Sequence, residues 1–278
     1  MDNLIIKNFI DYWDKTISDW AKSHKLPENE EIFLNLKNGN FKKELMPEPY
    51  WGNPKNCSVA ILNYNPACSE QPEPYDTCHL KNVKNERSLS GKLSPHYSKE
   101  ALEFHHFDEN PDCPYRCFAG TIWWRSKRGW LNNLTGNDKK KPFALELISW
   151  HSPGWKIDLS KKSNSKIKDI LKKNVIDIFI EAIKNSDLKI GYCFGKHIAN
   201  LFDALKYTNI TNRLFSVNNG KWQPLENKMR WYSVYVLDKI RGIYTIVTWS
   251  IRSNTTPAKE YFEIEKNLIK EIKNLITN

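Results

Sequence analysis

Hydrophobic positions fall along this chain in two rhythms. Apolar residues recur at helical spacing through residues 3–21, where Ile5, Phe9, Trp13, Ile17 and Trp20 share one face. The same rhythm returns over 120–134, 167–183 and 197–205. It returns once more after Thr256-Pro257, where a capping hydroxyl followed by proline opens a long final helix. Between these segments lie short runs that are apolar almost throughout: 57–63, 143–149, 188–194 and 243–249. Runs of this length read as strands buried on both faces. Residues 213–238 suggest a β-hairpin with its turn near Asn219-Gly220 or Glu226-Asn227. Strands alternating with helices predict an α/β fold, a mostly parallel central sheet flanked by helices. One segment breaks the pattern. Residues 68–117 carry Pro72, Pro74, Pro95, Pro111 and Pro114 without periodicity, and are expected to form a long irregular insertion.

The chain has no internal repeat and is expected to be a single domain over 1–278, with an N-terminal helix within 1–25, the insertion at 68–117 and an added hairpin at 213–238. Its 40% hydrophobic content excludes wholesale disorder. No uninterrupted apolar stretch precedes residue 25, where Asp2, Lys7, Asp11, Asp14 and Lys15 intervene, and no run approaches a membrane span. Cys57 and Cys193 fall in buried strands as small core residues. A reduced, cytoplasmic protein with no membrane association and no obligate protein partner is expected.

Charge narrows the partner. The net charge is +10, with basic clusters at Lys81, Lys84, Arg87 and Lys92, at Arg125, Lys127 and Arg128, and at 139–141. Eleven Trp residues add stacking platforms. Together these suit DNA, although a basic cluster taken singly is most often an ordinary solvated surface.

The strongest local signal is the end of the first strand. Val59-Ala60-Ile61-Leu62 stops abruptly in Asn63-Tyr64-Asn65-Pro66-Ala67. Polar side chains at a strand's carboxyl end stand where open α/β sheets place ligands, and proline stiffens the turn. Further stretches follow in order. Thr121-Ile122-Trp123-Trp124-Arg125 runs to Gly129-Trp130-Leu131, and a strand at 143–149 ends in Trp150-His151-Ser152-Pro153. Then comes a corner, Phe194-Gly195-Lys196-His197, and a last strand ending in Trp249-Ser250-Ile251-Arg252-Ser253-Asn254.

Taken together, this series resembles the uracil-DNA glycosylase superfamily. Its members carry a water-positioning loop of the type Gly-x-Asn-Pro-Gly, a helix with Phe-Trp, a base-recognition strand, a Gly-Lys corner and a DNA-gripping His-Pro-Ser-like loop. The resemblance covers most of residues 50–275. It departs from the pattern at Asn63 and Ala67, where the loop has Gly, and in lacking a His before Ser250.

The resemblance implies N-glycosidic bond hydrolysis. That reaction passes through an oxocarbenium-like sugar and a departing base anion, so a positioned water and charge stabilisation suffice. Asn65 is the first candidate to orient the water and Asn63 the second; the plain alternative for an Asn before Pro is an Asx turn. His151 is a candidate donor to the leaving base. Tyr64, Pro66, Trp123, Trp150, Ser152 and Glu146 are candidates to hold a flipped base. Glu146, a carboxylate inside an apolar strand, is expected to orient Lys196 or His151, or to face a polar helix. Lys196, His197, Ser250, Arg252, Ser253 and Asn254 are candidate DNA-binding residues.

No cofactor is expected. Cys68, Cys78, His79, His105, His106, Asp112, Cys113 and Cys117 gather in the insertion, but no CxxC pair exists and the Cys113–Cys117 spacing is looser than common zinc motifs. Zinc remains a secondary alternative. The expected activity is therefore a DNA glycosylase. A bulky base, glucosylated hydroxymethylcytosine of phage DNA, is favoured over uracil because the long Trp-flanked polar region suggests a large pocket. The alternatives are a uracil or damaged-base repair glycosylase and a non-catalytic binder of modified nucleic acid. A nucleotide hydrolase is disfavoured by the lack of a Walker or GxGxxG loop.

Overall fold

The computed structural model describes residues 4–23, 26–34, 36, 40–41, 47, 49–64, 127–136, 142–150, 152, 161, 164–211, 230–250 and 256–277. Their centre is a seven-stranded mixed sheet. The strands are β1 (Tyr50–Trp51), β2 (Ala60–Asn63), β3 (Phe143–Glu146), β4 (Ile190–Phe194), β5 (Thr208–Asn209), β6 (Arg230–Asp238) and β7 (Ile243–Ser250). Their spatial order is β1-β3-β2-β4-β7-β6-β5. The inner four, β3, β2, β4 and β7, run parallel to one another. The outer strands β1, β6 and β5 are antiparallel to their neighbours.

The four apolar runs of the sequence are these four parallel strands, and the cause is burial on both faces. Every residue of β4 is buried. Cys193 belongs to the core on one side of the sheet and Tyr192 to the core on the other. Helices α1 (Leu4–Ser23), α2 (Glu28–Leu34), α4 (Ser165–Leu171), α5 (Asp177–Asn185) and α6 (Lys196–Ala204) supply the first core. Helices α3 (Arg128–Thr135) and α7 (Phe262–Thr277) cover the opposite face. Packing is tight where α5 crosses β4: a methyl added to Gly191 would lie 2.7 Å from the Phe179 ring and 2.9 Å from Thr245 Oγ1.

Several expectations shift by a few residues. The buried face of α1 runs through Ile6, Phe9, Trp13, Thr16 and Trp20, while Ile5 is exposed. The helix expected at 167–183 is one continuous rod in which a π-helical stretch, Lys172–Ile176, joins α4 to α5. The final helix begins with a 3-10 turn, Lys259–Tyr261, rather than at Pro257.

Of the hairpin expected at 213–238, the described part, 230–238, is strand β6. Residues 212–229, with both turns suggested by the sequence, lie outside the described residues. The described hairpin is β6–β7, closed by residues 239–242. Asp238 accepts from the Arg241 backbone N–H at 2.9 Å and from Arg241 Nε at 2.6 Å, and Gly242 takes a positive φ of 63°. A glycine in that backbone region costs little, which is why this turn closes here.

Candidate functional site

Parallel strands put all their carboxyl ends on one edge, and here that edge collects the polar positions. Asn63 and Tyr64 leave β2, Glu146 ends β3, Gly195 to His197 follow β4, and Ser250 ends β7. The chain passes from β2 to β3 on one side, then returns to β4 on the other. The topological switch point therefore lies between β2 and β4, where open α/β sheets form a crevice.

Residues from both strands meet there. The Tyr64 and His197 rings stack with centroids 4.6 Å apart and an interplanar angle of 16°. Burial pushes the Tyr64 phenol above its ordinary range, so it stays protonated. The β4–α6 corner is held by Gly195, whose φ of 121° only glycine adopts readily, and by its N–H bonded to the Thr248 carbonyl at 3.0 Å. Lys196 beside it is exposed and His197 half-buried.

Next to the switch point, Asn63 and Glu146 are register partners across β2 and β3. Asn63 Nδ2 donates to Glu146 Oε1 at 2.8 Å. Glu146 is buried and Asn63 half-buried. The pairing of these strands continues past their ends, with Leu147 N–H bonded to the Asn63 carbonyl and Ile148 N–H to the Tyr64 carbonyl. The Glu146 carboxylate takes the amide of Asn63, because strand register places the two side by side; of the partners expected for it, His151 lies outside the described residues.

The expected role of Trp150 is corrected. Its indole is fully buried, and its Nε1 donates to Glu30 Oε2 at 2.9 Å. It anchors the end of β3 to α2 and offers no open face to a base. Ser152 is likewise buried. Asn65, Pro66, Trp123, His151, Arg252, Ser253 and Asn254 lie outside the described residues.

Two residues at or near this edge carried no signal in the sequence. Arg230, in register with Ser250, is a buried cation with its guanidinium carbon 5.7 Å from the Tyr261 ring centroid. Glu30 is a buried carboxylate that also accepts from Tyr12 at 3.0 Å, and burial holds its carboxyl above the ordinary value. The first is a charged residue opening a strand, where a solvated position is the ordinary expectation, and a seven-residue helix too short to show periodicity hides the second.

The edge thus offers a fixed amide, a stacked pair of rings, and an exposed cation at a helix start. These can bind a planar ring, orient a polar donor and meet a phosphate. Among the described residues, no three His, Cys, Asp or Glu side chains cluster as a metal site requires, and no helix is long and apolar enough to cross a membrane. No family model, curated protein or solved structure matches the chain.

Proposed function

We propose that this chain is a DNA glycosylase on a uracil-DNA glycosylase-like fold. It flips a modified base from DNA, hydrolyses the N-glycosidic bond and leaves an abasic site. The base we assign is a bulky modified cytosine such as glucosylated hydroxymethylcytosine of phage DNA, which would make the protein a cytoplasmic phage-defence enzyme. The observation that carries this reading is the switch point itself. The motif residues Asn63, Tyr64, Lys196 and His197, chosen from their order along the chain, stand at the carboxyl ends of the adjacent strands β2 and β4, where Tyr64 and His197 stack.

The chemistry follows from what each group can supply. Departure of the base leaves positive charge on the sugar, and a water held beneath it completes the reaction without a strong base. Asn65 is the assigned water-orienting residue, and His151 is assigned to meet the leaving base. Lys196 and the amide groups at the start of α6 take the flanking phosphates, positioning the strand without reading sequence.

The test is incubation with matched DNAs carrying uracil, hydroxymethylcytosine or glucosylated hydroxymethylcytosine, followed by abasic-site cleavage. Strand scission with the glucosylated DNA, abolished in Asn65→Ala while DNA binding persists, is the expected result. Binding of the modified DNA with no abasic product from any substrate would leave a binding module in place of an enzyme.

A further inference from the structure

We propose that Glu146 is a positioning residue that locks the Asn63 amide in one orientation, so that the site accepts bases bearing an exocyclic amino group and rejects those with a carbonyl there. The inference rests on the glycosylase reading above and names the feature of the base that is read.

An Asn side chain has a donor end and an acceptor end, interchanged by a half-turn about its terminal bond. At Asn63 the donor end is committed, since Nδ2 lies 2.8 Å from Glu146 Oε1. Turning the amide over would set its oxygen against a carboxyl oxygen, acceptor against acceptor, inside a buried environment that magnifies the penalty. Glu146 has little freedom to yield, being buried and in strand register with Asn63. What remains for a ligand is the amide oxygen of the half-buried Asn63, at the carboxyl end of β2 beside the switch point.

An acceptor in this place demands a donor from the ligand. Cytosine and its 5-substituted derivatives carry an amino group at C4, whereas uracil and thymine carry a carbonyl oxygen at that position. The amino group meets the Asn63 oxygen with a hydrogen bond. The carbonyl would leave two acceptors facing each other, and sites that bury such a mismatch discriminate strongly.

The cleanest probe is a pair of bases that differ at C4 alone: 5-hydroxymethylcytosine and 5-hydroxymethyluracil in otherwise identical DNA, with their glucosylated forms as a second pair. Relative kcat/KM for abasic-site formation is measured for the wild type, Glu146→Gln, and the double variant Asn63→Asp with Glu146→Gln. Wild type should prefer the amino base. Glu146→Gln should lower that preference about tenfold or more, because the Gln amide can donate to the Asn63 oxygen and release the amide to turn over. The double variant restores a donor–acceptor pair in which the new carboxylate on β2 presents an oxygen to the base, and should recover the preference. Thermal denaturation of each variant separates these effects from loss of fold.

Equal action of the wild type on both bases overturns the proposal. So does a Glu146→Gln enzyme that slows on both bases with the preference intact, which would mean Asn63 orients the water instead. So does a variant unchanged in rate and preference, which would make the pair a structural tie. Absence of abasic product from every DNA is a different failure. It removes the glycosylase reading, and this inference with it.

Discussion

Tyr64 lies flat against His197, their ring centroids 4.6 Å apart, joining the end of β2 to the first turn of α6. The two residues are far apart in sequence and approach only because β2 and β4 are adjacent parallel strands. Such ring pairs contribute about 0.5–1.5 kcal/mol beyond the area they bury. A double-mutant cycle with Tyr64→Ala and His197→Ala, read by urea denaturation, should return a coupling energy of about 1 kcal/mol. The glycosylase reading adds that both single variants lose base release by more than their stability loss explains. A coupling near zero would make the stack incidental.

Lys196 is exposed at the start of α6, on the same edge as the Tyr64–His197 pair. If it contacts a DNA phosphate, Lys196→Ala weakens binding equally across sequences and reduces the salt slope by about one. Binding to a modified duplex and to an unmodified one, measured across a range of salt concentrations, decides this. An unchanged slope would place the DNA path on another surface.

The parallel core was legible because of its double burial. A strand such as Ile190–Phe194, covered by helices on both faces, must be apolar throughout, and that run is visible without any structure. The two-residue edge strands Tyr50–Trp51 and Thr208–Asn209 impose no such pattern and left no trace. The ends of β2 and β4 were legible as strand ends on one edge because polar residues follow apolar runs there. Their partners were not. That Glu146 meets Asn63 depends on register between segments 83 residues apart, and nothing local encodes it. Trp150 shows the same limit: an indole next to a strand end reads as a stacking platform until Glu30 is found holding its nitrogen.

Glu30 is the clasp between the N-terminal helices and the sheet. Its two oxygens take the Tyr12 hydroxyl at 3.0 Å and the Trp150 indole N–H at 2.9 Å. Glu30→Ala strands two donors, each costing about 1–3 kcal/mol where it stays buried. A loss on the order of 3 kcal/mol in chemical denaturation is expected, with Glu30→Gln milder because its oxygen still accepts. Loss below about 0.5 kcal/mol would mean that α1 and α2 are held by apolar packing alone.

Glu265 sets a pH dependence whose sign follows from its surroundings. The carboxylate on α7 is buried between sheet and helix and accepts from the Tyr192 hydroxyl of β4, from the Tyr232 hydroxyl of β6 at 3.1 Å, and from Trp130 Nε1 of α3 at 3.0 Å. Burial pushes its pKa from 4.5 up to about 7, only partly opposed by these donors and by the charge of Arg230 on β6. The folded protein therefore holds this proton more tightly than the unfolded chain. The stabilisation from protonated Glu265 is complete below about pH 4.5 and drains away as the pH rises to about 7. Asp14, pushed up to about 6 by burial and by Asp11, and Glu30 act in the same direction. Wild-type unfolding free energy, measured by urea at successive pH values, should fall from pH 5 to pH 8. Glu265→Gln removes the titrating group, so its curve should be flatter by on the order of 3 kcal/mol across that range. Parallel curves for the two proteins would show that the three donors, rather than burial, control the ionisation of Glu265.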